Sequence, residues 1–116
     1  MPVVLVIEDD KNLREMMTLL LDTCGIGIRT APNGLVGLIQ ARQHPQPSLV
    51  LLDLMMPVMD GWEFRRRQLA DPSIASIPVA VVSALSPVHY AELAPAAVVP
   101  KPCDFEHLIE VVKRFL

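Results

Sequence analysis

The stretch VLLDLMMPVMDG (Val50–Gly61) decides the fold of this chain. Its aliphatic opening is too short for a helix and reads as a strand buried on both faces, as strands of a covered parallel sheet are. That strand closes on one carboxylate, Asp53, before two methionines, a proline and the turn at Asp60-Gly61. Nothing about helix capping calls for an acid directly after such a run.

Outward from it, apolar runs alternate with helical patterns. VVLVI (Val3–Ile7) is a continuous, largely β-branched run. Leu13, Met16, Met17, Leu20 and Cys24 then recur at spacings of three and four, with Asp10 as cap and Gly25 as stop. IGIRTA alternates and reads as a weaker strand nearer a sheet edge. Asn33 caps a helix carrying Leu35, Leu38 and Ile39, which HPQP ends. SLVLLD is the third strand, followed by a helix over about 61–70, and IPVAVVSA is the fourth. Ser86-Pro87 reads as a cap with a first-turn proline, so PVHYAELA is expected to be one short helix. AAVVPK is the fifth strand, and Asp104 caps a last helix with Phe105, Leu108, Ile109, Val112 and Phe115 on one face. Five strands alternating with five helices predict a single doubly wound α/β domain over residues 1–116, with a parallel sheet and right-handed crossovers.

Composition bounds the function. The chain has 116 residues, enough for one core without disulfides or metal staples, and 52% of them are hydrophobic. A net charge of −3 argues against nucleic acid as a direct partner, because phosphate binding is led by Lys and Arg. The run Arg65-Arg66-Arg67 therefore reads as a solvated helix face. Cys24 and Cys103 are too few for a disulfide framework and suit reduced thiols. No signal peptide or membrane span is apparent, so a cytoplasmic domain is expected. His44, His89 and His107 share no ligand spacing.

In a parallel sheet the carboxyl ends of all strands lie along one edge, where open α/β folds place their ligands. Here the first strand ends at Glu8-Asp9-Asp10, the third at Asp53, the fourth at Ser83 and the fifth at Lys101. Topology thus gathers at least three carboxylates, a hydroxyl and an ammonium into one crevice. Two carboxylates 4 Å apart repel by about 4 kcal/mol at an effective dielectric near 20. Lys101 offsets one charge but not three. A hard divalent cation, Mg²⁺, is the natural remedy, and it in turn predicts an anionic, phosphate-like ligand.

These segments resemble the receiver domain of two-component response regulators over nearly the whole chain. VLVIEDD is similar to its first strand and acidic pair, LLDLMMPVMDG to its phosphorylation loop, IPVAVVSA to its fourth strand with the hydroxyl residue, and PKPCD to its lysine–proline turn. The resemblance implies a flavodoxin-like sheet in the order 2-1-3-4-5. It implies that Asp53 is the phosphoacceptor, receiving a phosphoryl group from a histidine kinase or phosphotransfer protein. It implies Mg²⁺ held by Asp9, Asp53 and the backbone carbonyl of Met55, with Glu8 acting through water. Ser83 and Lys101 would each meet a phosphoryl oxygen, and Pro102 would follow a cis peptide. The activity implied is phosphorelay signalling to a downstream protein by a monomer or weak dimer, not an enzyme beyond self-catalysed phosphorylation and dephosphorylation.

Two departures stand out. The chain between Ser83 and Lys101 is short by about one helical turn, which makes the fourth helix brief. Val98 stands where many receivers carry an inward-swinging aromatic, and its β-branched side chain cannot take that role. Small backbone change near the fourth helix and fifth strand is therefore expected on phosphorylation, in a stand-alone or excised receiver that signals through partner contacts. The alternatives are an aspartyl-phosphate phosphatase or phosphotransferase, a flavin-binding module and a non-switching pseudo-receiver. The first usually wants an acid two residues after its nucleophile, where this chain has Met55. The second needs a Ser/Thr/Gly-rich phosphate loop after the first strand, where EDDKN would repel a phosphate in the absence of metal, and the third usually loses a key residue, whereas all are present.

Overall fold

The computed structural model describes residues 2–116; Met1, counted within the domain above, lies outside them. Five strands, β1 (Val3–Ile7), β2 (Gly27–Ala31), β3 (Leu49–Leu52), β4 (Val79–Ser83) and β5 (Ala97–Pro100), form one parallel sheet in the order β2-β1-β3-β4-β5. Four α-helices connect or follow them: α1 (Lys11–Thr23), α2 (Gly34–Ala41), α3 (Gly61–Leu69) and α4 (Phe105–Arg114). Among the described residues no helix is long and apolar enough to cross a membrane.

Alternation along the central strands divides the core. Leu5, Ile7, Val50, Leu52, Val79 and Val81 pack with Leu38 and Ala41 of α2 and Phe64 of α3. Val4, Val6, Leu49, Leu51, Ala80 and Val82 pack with Met17 and Leu21 of α1 and Leu108, Val111 and Val112 of α4. Each such side chain, withdrawn from water, contributes about 1.5–3 kcal/mol before chain entropy is charged against it. Covered on both faces, β1, β3 and β4 become a rigid base for whatever their ends carry.

Polar residues set the boundaries. Asp10, Asn33, Asp60 and Asp104 cap α1 to α4, each carboxylate or amide oxygen accepting from a first-turn backbone N–H. Helix α1 ends in a Schellman turn: Gly25 N–H donates to Asp22 O and Ile26 N–H to Leu21 O, with Gly25 at φ +74°. At Gly61 the requirement is close approach. Its N–H donates to Leu54 O at 2.9 Å, and a Cβ there would strike the Asp53 carbonyl oxygen. That contact seats α3 directly on the end of β3 and closes the loop between them.

The connection between β4 and β5 differs from the expected short helix. In its place are two 3₁₀ turns, Pro87–His89 and Ala91–Leu93, so the described residues form four α-helices and not five. Ser86 makes no side-chain cap bond, and Ala94, with φ +47°, turns the chain out of helical geometry just before Pro95. Bracketed by two prolines, the segment cannot form enough consecutive i→i+4 bonds to offset helix nucleation.

The basic run also divides. Arg66 and Arg67 are exposed and pair with Glu63, as a solvated face would, at 2.6 Å for Arg67. Arg65 instead is buried, 8% exposed, against the β4–β5 connection.

Candidate functional site at the carboxyl edge of the sheet

Backbone pairing carries the ladder one step past the strand ends and places the edge residues. Glu8 N–H donates to Ala31 O (3.0 Å), Asp53 N–H to Ile7 O (2.9 Å) and Lys101 N–H to Ser83 O (3.0 Å). Glu8, Asp53 and Lys101 are thereby each tied to a neighbouring strand as well as their own. The crevice they line, with Asp9, Asp10, Met55, Ala84 and Leu85, encloses about 330 Å³.

All the residues singled out in the sequence meet here. Carboxylate oxygens of Glu8, Asp9 and Asp53 lie within 4.8 Å of one another. Glu8, Asp53 and Ser83 are buried, at 2%, 6% and 5% exposure, while Asp9 is exposed. Lys101 Nζ stands 2.8 Å from Glu8 Oε1 and 3.3 Å from Asp53 Oδ1. The Lys101–Pro102 peptide is cis. Ser83 Oγ accepts from Leu85 N–H at 3.0 Å. Of the three methionines in the loop after Asp53, Met56 and Met59 are buried in the core beside α3, and Met55 is exposed.

The electrostatics are those of an under-neutralised pocket. Burial, then the Glu8 charge and hydrogen bonds that the protonated carboxyl donates to Glu8 and Asp9, push the Asp53 carboxyl up to about 7 against the opposing pull of Lys101. Burial alone would depress the Lys101 ammonium, but Glu8 and then Asp53 outweigh it and hold its pKa above the ordinary value. Glu8 Oε1 is buried and meets the Lys101 ammonium at 2.8 Å. With all three carboxylates ionised, the one ammonium leaves two negative charges uncompensated. Hard oxygen donors with that residual charge fit a divalent cation such as Mg²⁺.

A raised acid pKa has a definite sign in folding. The folded state holds the Asp53 proton up to about pH 7, whereas an ordinary aspartate releases it near 3.8. The group's contribution is therefore complete below about pH 4 and is lost as pH rises through 7. In chelator, wild type is expected to lose melting temperature relative to Asp53→Asn between pH 5 and pH 8. Parallel pH profiles for the two proteins would contradict this assignment.

The loop after Asp53 carries strain of its own. Val58 sits at φ +70° and is 78% exposed, a region that costs a β-branched residue about 1–3 kcal/mol. Hydrogen bonds from Gly61 N–H to Leu54 O and from Gly34 N–H to Met59 O hold the loop closed around it.

A doubly wound sheet with this edge chemistry defines a flavodoxin-like signalling domain, and comparison with known proteins agrees. Residues 4–113 match the family described as response regulator receiver domain, and the chain belongs to that family. It is 31% identical over 120 residues to the DNA-binding dual master transcriptional regulator RpaA of Synechocystis, covering all of this chain and 49% of that protein. The chain thus spans about half the length of that relative. The polar-differentiation response regulator DivK of Brucella anthropi is 28% identical, with 97% of this chain and 94% of DivK covered. In three dimensions the chain matches the chemotaxis protein CheY4 of Vibrio cholerae with a TM-score of 0.90 and 25% identity, over 100% of this chain and 99% of that one.

The topology gives Lys101 one crevice carboxylate to offset without saying which, and its nearest partner is Glu8, at 2.8 Å. One feature escaped the sequence reading. The burial of Arg65 had a signal: Gly61, Phe64, Arg65 and Gln68, all buried, follow the i, i+3, i+4, i+7 pattern of an inward helix face. Two polar members disguised it.

Proposed function

We propose that Asp53 accepts a phosphoryl group from a phosphohistidine on a partner kinase or phosphotransfer protein, and that the acyl phosphate changes how residues 1–116, acting as one receiver domain, meet a downstream protein. A carboxylate oxygen of Asp53 attacks phosphorus and the P–N bond breaks. The imidazole leaves with the electron pair and takes up a proton. A mixed carboxylic–phosphoric anhydride remains on Asp53.

The observation that carries this reading is the cluster of Glu8, Asp9 and Asp53 oxygens within 4.8 Å, with Lys101 alone among the described residues paired to it. Glu8, Asp9, Asp53 and the Met55 carbonyl would hold Mg²⁺, which when bound supplies the charge that lets a phosphoryl dianion approach the carboxylates. The chain's own groups do the rest. Strand β3 fixes Asp53 so that its attack needs little reorganisation, and phosphoryl transfer asks for little beyond positioning and charge neutralisation. Lys101 Nζ, already 3.3 Å from Asp53 Oδ1, pairs with a phosphoryl oxygen. Ser83 can donate its hydroxyl proton to another while still accepting from Leu85 N–H. Ala84, small and exposed, leaves room for the donor.

Turnover by a phosphatase is the poorer reading, because the residue two positions after Asp53 is Met55, exposed and without a proton to give or take. Intact mass after incubation with acetyl phosphate and Mg²⁺ tests the proposal. One phosphoryl group is expected, lost in base and absent in chelator. No adduct at millimolar Mg²⁺ would overturn it.

A further inference from the structure

We infer that Arg65 is the clasp of a locked strap, holding residues 86–96 in one conformation whether or not the crevice is occupied. This rests on the function proposed above only for what occupies the crevice. The strap itself stands on geometry.

The attachments lie on α3. Arg65 Nε donates to Leu93 O at 3.0 Å and Nη2 to Ala94 O at 3.2 Å, at the carbonyl end of the second 3₁₀ turn. Among the described residues no carboxylate pairs with this guanidinium. Its buried charge is met by carbonyl dipoles and by Gln68 Oε1 at 2.8 Å. Gln68 is fully buried and donates through Nε2 to Ile74 O and Ile77 O, which fastens the clasp to the connection entering β4. Upstream, Trp62 Nε1 donates to His89 O at 2.7 Å, and Tyr90 is buried in the core cluster with Phe64.

At its other end the strap meets the crevice through one side-chain bond, Leu85 N–H to Ser83 Oγ. Movement of the Ser83 hydroxyl acts on that bond alone. Every other attachment is independent of it. Strap release would leave a buried guanidinium without its carbonyl partners, a far larger loss than one neutral hydrogen bond. Occupancy of the crevice therefore reshapes 53–60 and 83–85 and leaves 86–96 as a constant surface.

The test uses amide hydrogen exchange on the full chain, together with the fluorescence of Trp62, the chain's single tryptophan. Four amides bonded within the strap's two 3₁₀ turns serve as reporters, His89, Tyr90, Leu93 and Ala94, while Ala96 N–H is held separately by Val79 O of β4. With Mg²⁺ and beryllofluoride, the wild-type rates at these positions are expected to stay within about threefold, and Trp62 emission unchanged. In Arg65→Met without any mimic, the same amides should exchange at least about tenfold faster and Trp62 emission should shift to the red, with β1 and β3 amides unaffected. Arg65→Lys, which keeps the charge but not the fork, should fall between and serves if Arg65→Met does not fold. Unchanged strap protection in the Arg65 variants, or more than tenfold change in wild type on binding the mimic, would overturn the clasp. Absence of any response at Asp53–Met55 and Leu85 to the mimic would instead fault the proposed function, and the unliganded Arg65 comparison would still judge the clasp.

Discussion

Asp53→Asn is expected to abolish acyl phosphate formation completely while making the metal-free protein more stable. An amide oxygen is a poor nucleophile, and the adduct it would form has no counterpart to the mixed anhydride. Activity and stability move in opposite directions because the same carboxylate is both the reactive group and the most frustrated one. Its pKa near 7 records burial and the repulsion of Glu8, and the neutral amide escapes both. Relief worth about 1 kcal/mol raises the melting temperature of a domain this size by about 4 °C. Mg²⁺ should stabilise wild type by mass action, about 2.7 kcal/mol at a hundred times its dissociation constant, and should do much less for the variant. Thermal melts with and without chelator check both arms. A variant that still takes up phosphate, or that melts below wild type in chelator, contradicts the expectation.

Lys101→Met is expected to damage both chemistry and folding. Methionine keeps much of the apolar stem and removes the cation that stands 2.8 Å from Glu8 Oε1. Breaking a buried pair typically costs about 3–5 kcal/mol, since a charge is left behind without compensation. Lys101 is about a quarter exposed, so water screens part of this and a loss of about 2 kcal/mol is expected. Phosphorylation by acetyl phosphate should slow by about 10²–10³-fold, the usual consequence of removing one charge stabiliser from a transferring group. Mg²⁺ should restore part of the stability and little of the rate, because it neutralises the acids without supplying the ammonium's contact. Equal rates and melting temperatures for variant and wild type would remove Lys101 from the site.

How far the sequence reveals this molecule depends on whether a feature is local. Strands β1, β3 and β4 are legible because residues buried on both faces must be apolar without interruption, and the caps Asp10, Asn33 and Asp104 because a helix start needs an acceptor. The site is legible for a different reason. A parallel sheet turns sequence order into a spatial edge, so four strand-end positions suffice to assemble Glu8, Asp9, Asp53, Ser83 and Lys101. The β4–β5 connection is not legible in the same way. Ser86-Pro87 is a genuine helix-start pattern, but the prolines at 87 and 95 leave too few residues for the helix to propagate. Its structure is set by side chains of α3 that lie more than twenty residues earlier, Trp62 and Arg65, reaching its carbonyls. Tyr90 has no periodic partner to mark it as core, yet it fills space within the cluster to which Val98 also packs.

The most direct measurement of the central claim is to trap the acyl phosphate chemically and find the residue that carries it. Protein incubated with acetyl phosphate and Mg²⁺ is reduced with borohydride, which converts an aspartyl phosphate to homoserine, then digested and sequenced by mass spectrometry. Homoserine at position 53, and nowhere else, is the predicted result. Reduction products at Glu8 or Asp9, or none in a protein that has taken up phosphate, would contradict it.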